Sequence, residues 1–147
     1  MKSTLVTLAA ALVTAACAST AGGPPEIHVD RTACSHCGML ISEPIYAAAY
    51  RAAGGESRVF DDIGCLLKGL TGESAGIQRF WFHDAASAEW SEDSAVVFVL
   101  SSSIRTPMGG GVIAYRNRAD AERTVQKHGG AIVGTLGELL ARQGGKS

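Results

Sequence analysis

Four soft donors fall within six residues: Cys34, His36, Cys37 and Met39. Farther along, Cys65 and Met108 add two more sulfurs, each beside a Gly-rich or acidic turn. Thiolate and thioether together suit Cu(I), whereas zinc sites draw on Cys, His and carboxylate and seldom on Met. A thioether carries no charge, so it can complete a Cu(I) shell without adding anionic repulsion. A C-x-x-C loop can bring two sulfurs onto one ion. Each residue also has a plainer use. Met39 and Met108 could fill gaps in a core, Cys65 could be an inert buried thiol on a helix, and His36 could face solvent.

Other chemistries compete for the same residues. C-x-x-C is the motif of thiol–disulfide oxidoreductases, but there a helix opens at the motif. Here Gly38-Met39-Leu40-Ile41 runs on towards Pro44, which does not favour a helix. Attachment of c-type haem needs a His directly after the second Cys, where this chain has Gly38. A zinc-stabilised interaction domain using Cys34, His36, Cys37 and Cys65 has enough ligands. Its pattern is a single C-x-x-C with a distant Cys, weaker than a paired one. The chain has no G-x-S-x-G, no phosphate-binding loop and no G-x-G-x-x-G after a strand. It reads as a binding protein, not an enzyme. Asp61 and Asp62 are adjacent and read as helix-capping residues.

The elements that must position these residues can be followed along the chain. Ile45–Tyr50 reads as a strand, Gly54-Gly55 as a turn and Ser57–Phe60 as a second strand. Apolar residues at 63, 66, 67 and 70 behind Asp61-Asp62 predict a helix over Ile63–Leu70. Ile77–Phe82, Ala95–Leu100, Val112–Tyr115 and Ala131–Val133 read as further strands. Asn117 opens a helix that runs to about Lys127 and stops at Gly129-Gly130. Thr135-x-x-Glu138 is a capping box for a last helix, Leu136–Arg142. The order implies an α+β fold. Met39 and Met108 each precede a strand and then a helix, which suggests two similar strand-turn-strand-helix half-domains.

The chain has 147 residues, 46% of them hydrophobic, with 13 Lys+Arg against 14 Asp+Glu. That suits one domain with a core and argues against a nucleic-acid binder, which would show a basic patch. Four Cys are too few for a disulfide-built scaffold. Residues 1–16 read as a signal peptide: Lys2, an apolar run from Leu5 to Val13, then small residues. Thr14-Ala15-Ala16-Cys17 is similar to a bacterial lipobox, with Thr14 where Leu is usual, so Cys17 is the expected lipidation site. Residues 17–29 then form a flexible tether and 30–147 the folded domain. An odd number of thiols, Cys34, Cys37 and Cys65, is left to an exported protein, so at least one is free or bound to something.

Five segments in this order resemble the NosL family of copper-binding lipoproteins, the nitrous oxide reductase accessory proteins. They are Cys34-Ser-His-Cys-Gly-Met39, Phe60-Asp-Asp-Ile-Gly-Cys65, Trp81–Asp84 with Trp90 after it, Thr106-Pro-Met-Gly109, and Lys127-His-Gly-Gly130. The resemblance implies a lipid-anchored protein, facing the periplasm or the cell surface, that binds one Cu(I). It implies delivery of that copper to nitrous oxide reductase, or to another exported copper enzyme. It implies a fold related to that of organomercurial lyase. By the same resemblance Cys37, Met39 and Met108 are copper ligands, with Cys34, Cys65 and His36 as further candidates.

Overall fold

A computed structural model of the chain describes residues 22–70 and 76–144. The expected signal peptide and Cys17 lie outside the described residues. Among the described residues seven strands and three α-helices follow one another: β1 Ala48–Ala52, β2 Ser57–Phe60, α1 Ile63–Gly69, β3 Ile77–His83, β4 Trp90–Glu92, β5 Val97–Leu100, β6 Val112–Tyr115, α2 Arg118–His128, β7 Ala131–Val133 and α3 Leu136–Gly144. Among the described residues no helix is long and apolar enough to cross a membrane.

Both sheets are antiparallel, one ordered β2-β1-β3-β4 and the other β6-β5-β7. The topology repeats: each sheet begins strand, strand, helix, strand, with the first strand in the middle. The methionines do not share that repeat. Met39 precedes β1, but Met108 lies between β5 and β6, where the first sheet has only the Gly54-Gly55 turn. The long β5–β6 connection is therefore an addition to the second sheet, closed where Ser101 N–H donates to Gly111 O at 2.9 Å.

Local chemistry explains the boundaries. Pro44 opens a 3-10 turn, Pro44–Tyr46, so the expected strand at Ile45 begins at Ala48. Asp93–Ala95 is likewise a 3-10 turn, which shortens the expected strand at Ala95. Asp62 caps α1 by accepting from Cys65 N–H, and Asn117 caps α2 by accepting from Ala119 N–H. Strand β4, absent from the sequence reading, has three residues and lies at the sheet edge. So short a segment has too few positions to display an alternation.

One core joins the two sheets. Phe60, Leu66 and Phe82 pack in one cluster with Phe98, Val112, Val133 and Leu139. The sheets are also tied through backbone. Ala85 N–H donates to Ala114 O at 2.9 Å, and the Asp84 carboxylate accepts from the Ser87 hydroxyl and from Arg116 N–H. Burial opposes ionisation of Asp84, but these donors outweigh it and hold its carboxyl below the usual range. On the outer side, the carbonyls of Gly22 and Gly23 accept from Arg79 and Arg51. The middle of the expected tether, at Gly22 and Gly23, therefore lies against β1 and β3.

Candidate metal centre

The C-x-x-C segment forms a closed loop. Cys34 N–H donates to Met39 O at 2.8 Å, Gly38 N–H to Cys34 O at 2.9 Å, and Ala33 bridges to Leu40. Gly38 turns the chain at φ +75°, a conformation that a side chain disfavours. The loop is fastened to β2 in two places: Ser35 N–H donates to Val59 O at 2.8 Å, and the Ser35 hydroxyl accepts from Val59 N–H at 3.2 Å. No helix opens at the motif; the next element is the turn at Pro44.

Cys65 comes to this loop from the first turn of α1. The Sγ atoms of Cys34, Cys37 and Cys65 all lie within 4.8 Å of one another, and all three thiols are free. Cys34 and Cys65 are buried, and Cys37 is half-buried. The cluster is thus closed at its base and reached past Cys37.

The thiols differ as acids. Burial alone would raise Cys34, but the backbone N–H groups of Cys37, Asp61 and His36 and the Cys37 thiol point to its sulfur. Their sum holds Cys34 below the ordinary thiol value. Burial, with Cys34 and Cys37 beside it, pushes Cys65 far above that value. Cys34 is therefore the more easily deprotonated of the two, while Cys65 keeps its proton unless a cation takes its place. Asp61 is also buried, with no partner for Oδ1 among the described residues. Burial, then the charges of Asp62 and Glu43, raise its pKa.

The other sulfur candidates are arranged differently. Met108 is half-buried and packs against the same core as Cys65. Met39 is 53% exposed beside exposed Leu40. His36 is exposed on the loop, its Cβ near the end of α1 at Gly69, and it does not join the three-thiol cluster.

Asp62 has a larger part here than helix capping. Its Oδ1 accepts from Cys65 N–H at 2.8 Å, and its Oδ2 accepts from the Thr106 hydroxyl at 2.7 Å and from Met108 N–H at 2.9 Å. Thr106 in turn accepts from Gly111 N–H at 3.2 Å. Helix spacing could reveal the cap, but nothing local to residue 62 points to partners more than forty positions away.

A soft cation fits this donor set. Three sulfurs within one ion's reach and a single half-open side favour a thiophilic metal over a hard one.

The fold is similar to that in the crystal structure of the copper chaperone NosL from Shewanella denitrificans. The TM-score is 0.64 and the identity 18%, with 76% of this chain and 92% of that one covered. At that identity the likeness is one of fold. No curated protein matches this chain. The NosL family model matches residues 26–138, a span from ahead of the C-x-x-C loop to α3. The chain therefore belongs to the NosL family.

Proposed function

We propose that this protein is an exported, lipid-anchored carrier of Cu(I) that loads a copper enzyme, with nitrous oxide reductase as the client. The observation that carries the reading is the convergence of three free thiols within 4.8 Å in a NosL-family chain. The NosL of Shewanella denitrificans, similar in fold, is a copper chaperone. Cu(I) accepts two to four soft ligands, so three thiolates suffice to hold it. Cys37, Met39 and Met108 are the ligands that the family pattern favours, with Cys34 and Cys65 completing the thiolate set. His36, on the exposed rim, is an auxiliary donor.

Transfer follows from the difference in access. Cys34 and Cys65 lie deep, Cys37 is half-open, and Met39 stands in solvent. A client sulfur or imidazole can replace the outer donors one at a time while the inner thiolates keep the ion from escaping. Copper displaces thiol protons, so affinity falls in acid. Outside the cytoplasm thiols oxidise, and loading requires the reduced form. Acylated Cys17 would keep the carrier at the membrane, since two or more chains anchor stably where one does not.

The test is an anaerobic titration of reduced protein with Cu(I) against a chromophoric chelator. One tightly held equivalent is expected, with clear weakening in the triple variant Cys37→Ser, Met39→Leu, Met108→Leu. Wild-type protein that fails to compete with the chelator would overturn the reading. Cys17→Ala should release the protein from membranes; retention would place the anchor elsewhere.

A further inference from the structure

Resting on the copper reading, we infer that Asp62 is a positioning residue that sets the distance between the inner thiol cluster and the Met108 thioether. A helix cap needs one oxygen. Asp62 uses Oδ1 for that, on the N–H of Cys65 itself, and gives Oδ2 to Thr106 and Met108. One carboxylate thus holds the backbones of two candidate ligands that are otherwise separated by β3, β4 and β5. The side chain is 0% exposed, so water does not compete for these bonds.

A second, independent contact brings the same two segments together. A Cβ on Gly64 would lie 3.1 Å from Gly110 Cα, and a Cβ on Gly110 would lie 3.0 Å from Gly64 Cα. The first turn of α1 and the Thr106–Gly111 loop therefore touch backbone to backbone beside Asp62. A side chain at either glycine would push the facing backbone back by a few tenths of an ångström. Together the carboxylate and the glycine contact fix the Met108 loop against the helix turn that carries Cys65. Met39 is tied only within its own loop, where its carbonyl accepts from Cys34 N–H, and its side chain is exposed. Met108 alone is fixed by a contact from another element, so Met108 is held in advance and Met39 is recruited.

The test removes no sulfur. Asp62→Asn keeps one carbonyl acceptor, which can serve Cys65 or the Thr106–Met108 pair but not both. The full-length reduced protein is labelled with selenomethionine in a Met39→Leu background, so that selenium near copper reports on Met108. Cu(I) affinity is measured by chelator competition and the Cu–Se contact by X-ray absorption. Asp62→Asn should lose the Cu–Se contact and weaken binding roughly tenfold, about as much as Met108→Leu. The two changes combined should cost no more than either alone, because they remove one shared interaction. Gly110→Ala leaves every polar partner in place and should lengthen the Cu–Se contact and weaken binding by a smaller factor, which decides the matter if Asp62→Asn fails to fold. A Cu–Se contact retained in Asp62→Asn, or unchanged in length in Gly110→Ala, with only a lowered melting temperature, would overturn the inference. So would wild-type protein that binds copper on its thiols with no selenium nearby; the carrier reading would survive that result. Wild-type protein that binds no copper would defeat both.

Discussion

Phe82 of β3 and Phe98 of β5 meet edge to face, with ring centroids 4.9 Å apart and planes at 85°. Neither has any exposed surface, and each belongs to a different sheet. This pair locks the two sheets into one core, and with them the loop that carries Met108 to the helix that carries Cys65.

Phe98→Ala should therefore lower stability by about 3–5 kcal/mol, the usual cost of removing a fully buried aromatic ring and leaving its cavity. Urea unfolding checks this: the midpoint should fall while the slope stays near wild type. A loss below about 1 kcal/mol would mean that the ring is not central to the junction of the sheets.

Gly38→Ala should cost about 1–2 kcal/mol, the penalty of a left-handed backbone with a side chain. The added methyl meets nothing within 4 Å, so the whole effect comes from φ +75°. The C-x-x-C loop should loosen, and Cys37 should be alkylated faster in the variant. Unchanged stability and alkylation would show that the turn does not need glycine.

Much of this fold was legible in the chain, and the exceptions have physical causes. Strands β2, β6 and β7 begin and end at the expected residues, each a short run set between turn residues. Asp62 and Asn117 mark two helix starts because capping is a local interaction. The strands expected at Ile45 and Ala95 start late because apolar residues in a 3-10 turn look like strand residues. At the site, the C-x-x-C pairing is local and was visible. The arrival of Cys65 and the double use of Asp62 depend on which strands pair, and no spacing in the chain encodes that.

The acid–base difference among the thiols can be read by thiolate absorbance near 240 nm in reduced, metal-free protein. One step should occur below the ordinary thiol range and vanish in Cys34→Ser. Another should remain incomplete well above it and vanish in Cys65→Ser. Copper binding replaces thiol protons, so its affinity should rise with pH wherever a ligand thiol is still protonated. Cys34 and Cys65 titrating together would contradict the difference in burial and hydrogen bonding that separates them.

His83 ends β3, is 8% exposed, and stands edge-on to Trp90 with centroids 3.9 Å apart. Neither ring nitrogen has a partner among the described residues. Burial lowers its pKa from 6.5 to about 4, so the folded protein holds this imidazole neutral. Between those two values the unfolded chain binds more protons than the folded one, and stability must fall as pH drops. The loss begins near the unfolded value and is complete near the folded one, at about 3 kcal/mol in all. Urea midpoints measured from pH 7 to pH 4 should follow this slope, and His83→Gln should flatten it. A slope that persists in the variant would assign the acid sensitivity to other groups, with the raised Asp61 carboxyl excluded by its sign. A carboxyl with a raised pKa favours the folded state as pH falls, opposite to the loss expected from His83.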